Sequence, residues 1–236
     1  MHLFLIRHGQ SHVNLDDWEG GYVDTGLTPL GHQQSERLAQ WIAEHVRAEA
    51  LYTSTMARAL ETTVYLANTL GLETRPDDRL REFGNCYADG TPVPSEAMPI
   101  HYAEFWGSER PYTRISERGE SWLLFRLRVG SFIDDVLARH GADNPEGGVL
   151  VVCHGGVIDA AADYIFNIGA HRRVEFLVHN TGITHWEHRS EPGREPWRLH
   201  AINIAYHLIG ENGAWLGSES ILQAASPKAD SGDLDD

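Results

Sequence analysis

Two histidines of this chain, each followed at once by glycine, stand where apolar runs end. One stands in Arg7–His8–Gly9, where the apolar run LFLI stops; the other stands in Cys153–His154–Gly155–Gly156, where GGVLVV stops. Arg58 falls in the first turn of a predicted helix, and Glu82 lies in the charged stretch RLREFG. Glycine carries no side chain, so an imidazole beside it can approach a ligand closely. Guanidinium groups grip oxyanions, and a carboxyl can move a proton at a reacting oxygen. Taken singly, each residue has an ordinary reading: a strand-end histidine is structural, an arginine early in a helix is a solvated charge, and Glu82 is a surface carboxylate. Cys153 beside His154 suggests a metal pair, but adjacent strand residues point to opposite faces, which sends Cys153 into the core. Their meeting would make the chemistry. Ligands of open α/β sheets bind beyond the carboxyl ends of the strands. His8, His154 and Arg58 therefore converge on one crevice, with Arg7 and Glu82 as candidates to join them.

The elements that must position these groups follow from periodicity. HLFLIRH (2–8), EALYTS (49–54) and GGVLVVCH (147–154) are short apolar runs bounded by turn or polar residues, and are predicted as buried strands. Further strands are expected near 72–76, 174–179, 182–188 and 197–203. Thr28–Pro29 predicts a helix start, with Leu38, Trp41, Ile42 and Val46 as its apolar stripe. Ser54 or Thr55 is expected to cap a second helix carrying Leu60, Val64, Ala67 and Leu70, with Gly71 ending it. A third helix over about 120–140 places Val129, Phe132, Ile133, Val136 and Leu137 on one face. A fourth follows Gly155–Gly156 through Ile158, Ala162 and Ile165. Alternating strands and helices predict an α/β fold: a three-layer α/β/α arrangement around a mostly parallel, doubly wound sheet. Residues 1–222 read as one domain. Its stretch 84–118, rich in proline, glycine and aromatics (Tyr87, Tyr102, Phe105, Trp106, Tyr112), reads as an inserted cap or lid. Residues 223–236 read as a disordered acidic tail.

Composition narrows the function. The chain has 236 residues and a formal net charge of −15, which argues against nucleic acid and against anionic membranes as partners. A locally positive pocket for a phosphorylated small molecule is compatible with that charge. No apolar run approaches the roughly 20 residues needed to span a bilayer, and no secretory signal is visible; the expected home is the cytoplasm. Two cysteines, Cys86 and Cys153, make no disulfide framework and read as reduced thiols. Lys228 is the sole lysine, which excludes a Walker A loop and disfavours Schiff-base chemistry. Nothing in the sequence sets the oligomeric state.

The local contexts of these residues resemble the histidine phosphatase superfamily, also called the phosphoglycerate mutase-like family. RHGQSHVN (Arg7 to Asn14) is similar to its opening signature. DTGLTPLGHQQ (Asp24 to Gln34), STMARALETT (Ser54 to Thr63), GES (Gly119 to Ser121) and VVCHGGVI (Val151 to Ile158) resemble its later blocks in order. LREFGN (Leu80 to Asn85) keeps the acidic residue but moves the glycine one place earlier, and NCYADG stands where a WEG-like triplet often follows. NTGIT (Asn180 to Thr184) and LHAINIAYHL (Leu199 to Leu208) look like the closing strands. The resemblance covers about residues 1–210.

That resemblance implies a phosphate pocket made by Arg7, His8, Arg58 and His154. His8 would be the nucleophile, forming a transient phosphohistidine, and Glu82 the general acid, with a raised pKa. Glu120, at the start of the long helix, is an alternative carboxyl. Gln10 and Asn14 are expected on the phosphate side, with Gly21, Asn180 and Thr181 as rim candidates. No metal and no cofactor are implied, because the arginines neutralise the phosphate. The implied activity is hydrolysis of a phosphomonoester of a small metabolite, of the histidine acid type. The substrate is not set by these motifs.

Three rivals are weighed. A cofactor-dependent phosphoglycerate mutase would use the same pocket. Mutases of the family typically carry Trp before the Asn, an FTGW-like segment and a lysine- and arginine-rich pocket; here Val13 precedes Asn14, the segment reads WEGGYVD, and there is no lysine outside the tail. A pseudoenzyme that binds phospholigands is disfavoured by the full set of reactive groups. A metal site around His8, Glu82 and His154 would place a cation beside arginine, which is electrostatically poor.

Overall fold

The computed structural model describes residues 1–20, 24–94, 97, 110–141, 147–189, 191, 193–210 and 213–217. Six strands form one mixed sheet: β1 (His2–Arg7), β2 (Ala48–Ser54), β3 (Thr74–Asp77), β4 (Gly148–Cys153), β5 (Ile183–His188) and β6 (Trp197–Ile204). Their order across the sheet is β3-β2-β4-β1-β5-β6. The first four in that order run parallel to one another, and β5 is antiparallel to both its neighbours. Four helices cover it: α1 (Pro29–His45), α2 (Ala57–Leu70), α3 (Trp122–His140) and α4 (Gly155–Ile165).

Strand alternation divides the apolar residues between two cores. Leu3 and Leu5 of β1, with Val149 and Val151 of β4, pack under α3 and α4. Phe4 and Ile6, with Leu150 and Val152, pack under α1 and α2. Both strands are buried on both faces, which is why they read as unbroken apolar runs. Cys153 lies in the first of these cores, as its strand register requires. The helix after β1 covers one face and the helix after β4 covers the other. Adjacent parallel strands whose helices leave in opposite directions open a crevice at their carboxyl ends. His8 and His154 are the first residues beyond those ends. None of the described helices is long and apolar enough to cross a membrane.

Two expectations need correction. No strand forms over 174–179. The polar backbone there is claimed one group at a time. Phe176 N–H donates to Asp159 at 2.9 Å, His179 N–H to Asn203 Oδ1 at 2.9 Å, and Val178 C=O accepts from Arg7. Those bonds satisfy the segment without a ladder. The buried face of α2 also differs. Ala59, Thr62, Thr63 and Leu66 face inward, and Val64 is 54% exposed. Thr62 and Thr63 can be buried because each hydroxyl donates to the carbonyl four residues earlier, Arg58 at 2.8 Å and Ala59 at 2.7 Å. Two polar residues on the inner face shift the stripe away from the one that hydropathy alone suggests.

The cap of α2 is corrected as well. Its N-cap is Met56, which gives no side-chain bond. The cap comes from a distant loop: Ala57 N–H donates to Asp24 Oδ1 at 2.9 Å and Oδ2 at 3.1 Å. Thr28 caps α1 as expected, accepting from Gly31 N–H at 3.1 Å. The aromatics Tyr102, Phe105 and Trp106 of the expected cap, and the whole acidic tail, lie outside the described residues.

Gly9 and Gly31 are where the loop after β1 crosses the first turn of α1. A Cβ on Gly9 would meet Gly31 O at 2.6 Å, and one on Gly31 would meet Gln10 O at 2.0 Å. Gly9 therefore serves a backbone-to-backbone approach rather than the ligand approach read from its position beside His8. Gly155, in contrast, faces open space. Gly31→Ala should cost about 1–3 kcal/mol through overpacking, seen as a lower midpoint in urea, while Gly155→Ala should leave that midpoint near wild type.

Candidate active site

His8 is buried at the end of β1 and its two ring nitrogens have different partners. Nδ1 lies 2.7 Å from Gly9 O, a pure acceptor, so Nδ1 carries the proton. Nε2 is then a lone pair, and Arg58 Nε–H donates to it at 3.1 Å. Burial, and then the charges of Arg58 and Arg7, push the His8 pKa well below its ordinary value of 6.5, against the opposing pull of the Gly9 carbonyl. The ring is therefore neutral near pH 7. The loop that bears it is tied to α2 by Gly9 N–H, which donates to Thr62 Oγ1 at 2.9 Å.

Arg58 is buried in the first turn of α2. Asp24, the same carboxylate that caps α2, stands 3.6 Å from its Nη1. One acidic residue thus fixes both the helix end and the guanidinium on it. Arg7 is half-buried and donates from Nη1 to Val178 O at 2.6 Å. Its Nε has no hydrogen-bond partner among the described residues. Burial lowers the Arg7 pKa, with Glu82 and Asp159 pulling it back up.

His154 is the N-cap residue of α4, and its ring lies 5.1 Å from that of His8, centroid to centroid. Its Nε2 is 2.9 Å from Ser54 Oγ. That hydroxyl already accepts from Met56 N–H at 3.3 Å, so its own proton is free to go to His154 Nε2. Nδ1–H is then a buried donor, and it has no partner among the described residues. Burial, and after it the charge of Arg58, lower the His154 pKa well below its ordinary value of 6.5 as well.

Glu82 is half-buried and completes the group from the α3–α4 side. Its carboxylate accepts from Phe83 N–H at 2.8 Å and from Gly156 N–H, in the first turn of α4, at 3.2 Å. Desolvation raises its pKa above 4.5 and outweighs those two backbone bonds and the charges of Arg58 and Arg7. Glu120 is placed differently. It is buried, and both its oxygens meet Arg128 at 2.8 Å, from Nε and Nη2. It also accepts from Gly84 N–H at 2.8 Å. Both its oxygens are thus committed to one guanidinium. Its work is positional. Arg128 also donates to the carbonyls of Arg79 and Arg81 at 2.7 Å and of Glu82 at 3.1 Å. The pair therefore pins the turn on which Glu82 rides.

The outer candidates fall into two groups. Gln10 is half-buried and accepts from Thr28 Oγ1 at 2.7 Å. Asn14 Oδ1 accepts from Ser11 N–H at 3.1 Å and from Asn180 Nδ2 at 3.2 Å. Asn180 Nδ2 also donates to His8 O at 3.1 Å, so Asn14 and Asn180 brace the backbone under the imidazole. Thr181 is fully buried with a positive φ of 61°. Its N–H donates to Arg7 O at 2.9 Å and its hydroxyl pairs with Asn180 O and His207. Those commitments make Thr181 a clamp on the end of β1 rather than a rim residue. Gly21 lies outside the described residues. Arg128 and the capping role of Asp24 were not read from the sequence. Arg128 does fall on the buried stripe of α3 beside Phe125 and Val129, and a charge on an inward face signals a buried partner.

The model of the histidine phosphatase superfamily, branch 1, matches residues 3–204, and the chain belongs to that family. It is 32% identical over 184 residues to "Putative phosphoserine phosphatase 2" of Hydrogenobacter thermophilus, covering 77% of this chain and 87% of that one. It is 26% identical over 215 residues to "Probable phosphoglycerate mutase GpmB" of Yersinia enterocolitica, covering 88% and 95%. Among solved structures, the phosphoserine phosphatase of Entamoeba histolytica in complex with 3-phosphoglyceric acid superposes with a TM-score of 0.66 at 25% identity, over 88% of this chain and 98% of that one.

Breaking the buried pair exposes its positional role. Arg128→Met leaves Glu120 buried without a counter-charge and should cost about 3–5 kcal/mol in urea denaturation. The double variant Glu120→Gln/Arg128→Met should recover much of that loss.

Proposed function

We propose that this chain is a phosphatase of the histidine acid type that hydrolyses a phosphomonoester of a small metabolite through a phosphohistidine on His8. The observation that carries the reading is the state of the His8 ring: neutral, with Nδ1–H held by Gly9 O and the Nε2 lone pair turned to Arg58. In the resting protein, Arg58 guards that lone pair. An arriving phosphate takes over the Arg58 N–H bond, and the released Nε2 attacks phosphorus. Arg7 Nε, the Arg58 guanidinium and His154 Nδ1–H neutralise the equatorial oxygens. The Gly9 carbonyl steadies the positive charge that develops on the ring.

As the phosphorus–oxygen bond to the leaving group breaks, Glu82 gives its proton to the departing oxygen. The carboxylate so formed takes a proton from water, which attacks phosphohistidine and releases inorganic phosphate and His8. Each step balances in protons without another cofactor. We read 1–222 as one catalytic domain working in the cytoplasm, with 84–118 as the part that selects the substrate. Relatives named for phosphoserine support a small substrate with charge beyond its phosphate. The mutase reading is weaker, since the chain lacks lysine outside its tail.

The direct test is a panel of phosphorylated metabolites that includes phosphoserine and 3-phosphoglycerate, scored by phosphate release in the presence of a strong chelator. At least one should turn over, and His8→Ala should abolish that turnover. Isomerisation of 3-phosphoglycerate without phosphate release would establish the mutase instead.

The proton donor has its own signature. Glu82→Gln should slow an alkyl phosphate far more than an aryl phosphate, whose leaving group needs no proton. Because Glu82 must start protonated, kcat/KM for the alkyl ester should fall on the alkaline side, and Glu82→Gln should flatten that limb. On the acid side, kcat/KM should not drop through about pH 6.5, where an ordinary histidine takes up its proton, because His8 titrates well below that.

A further inference from the structure

A second cluster of imidazoles lies at the opposite end of the sheet. His2 opens β1, His185 lies on β5 and His200 on β6. Each offers a ring nitrogen, and these nitrogens all lie within 4.8 Å of one another. One pair, His2 Nδ1 and His185 Nε2, is 2.9 Å apart. Two nitrogens bound to one zinc-sized ion at about 2.05 Å in tetrahedral geometry stand about 3.3 Å apart. The pair is thus already near ligand spacing.

One carboxylate stands beside the cluster. Glu187, opposite His2 across β1 and β5, lies with its Oε2 2.7 Å from His200 Nε2. A carboxylate that takes one N–H of an imidazole fixes the ring and leaves the lone pair on its other nitrogen, the arrangement that supports metal-bound histidines. Glu187 also faces Arg189 and Arg198, so its charge offsets theirs. His185 stacks on Phe4 at 4.3 Å and on His200 at 4.5 Å. A cavity of about 210 Å³ lined by His2, His185, Phe4, His45 and Arg47 adjoins the cluster; the Arg47 side chain is mostly exposed and meets Glu49 at 3.6 Å. His200 is the exposed member of the three.

We propose that His2, His185 and His200 form a binding site for a divalent transition metal ion of the zinc class, with Glu187 orienting His200. Imidazole donors select such ions over magnesium or calcium. Six residues of strand separate His2 from His8, a span of about 20 Å. The ion is therefore outside the phosphate pocket and serves the sheet edge, where it ties β1, β5 and β6 together.

The test uses the full chain, freed of metal by chelator and then titrated with Co²⁺ as the probe. Wild type should take up one equivalent with a visible absorption band of a nitrogen-ligated, low-coordinate ion, and Zn²⁺ should displace it. His185→Ala/His200→Ala should weaken binding more than tenfold. His200→Ala alone, at an exposed position that does not endanger folding, should weaken it by a similar order. Both should keep wild-type phosphate release. His8→Ala should bind Co²⁺ like wild type. Absence of saturable binding to wild type, equal binding by the His200→Ala variant, or loss of binding in His8→Ala would each overturn the proposal.

Discussion

On the proposed reading, a nucleophilic imidazole must stay unprotonated while it waits beside positive charge, and the site is organised around this requirement. Guanidinium groups attract phosphate, and the same groups make a protonated His8 too costly to form. Burial acts in the same direction on the imidazole, and it also sharpens the attraction for an incoming anion. The net charge of the chain is strongly negative, yet the crevice is positive because Arg7 and Arg58 are drawn inward. Nearby acidic groups are shared with other partners. Asp24 steadies Arg58 from 3.6 Å while both its oxygens accept from Ala57 N–H, and Asp159 is engaged by Arg172 and by Phe176 N–H.

Holding two arginines and two histidines in one crevice leaves many backbone groups to satisfy, and nearby polar side chains do it. Asn180 supports the His8 carbonyl, Thr62 the Gly9 amide, and Gln34 the Gln10 amide. The loop that follows β1 is thus ordered by side chains from three separate elements. This is why the segments around the site look polar in the sequence while remaining buried. It also explains why 174–179, apolar enough to suggest a strand, is coil: its groups are already committed to Arg7, Asp159 and Asn203.

Much of the fold and of the site was legible from the chain alone. β1, β2 and β4 are apolar runs because both their faces are covered. α1 and α3 carry strong apolar periodicity, and the strand ends where His8 and His154 stand follow from those boundaries. What was hidden depends on tertiary partners. The inner face of α2 includes two threonines whose hydroxyls find carbonyls only once the helix exists. Its cap arrives from Asp24, more than thirty residues earlier in the chain. Arg128 and Glu120 stand eight residues apart on and beside α3, and only the turn over 79–84 between them reveals what they hold. Gly9 looked like a door for ligand and is a seat for α1.

On the proposed reading, the two halves of the reaction belong to different layers. His8 and Arg58 are anchored on the α1–α2 face, through Gly31 and Thr62, whereas Glu82 hangs from the α3–α4 face, through Arg128 and Gly156. The sheet between them is a common rigid baseline. Drift in the packing beneath one face can retune proton delivery, and with it the range of alcohols that can depart, while capture of phosphorus on the opposite face is inherited unchanged.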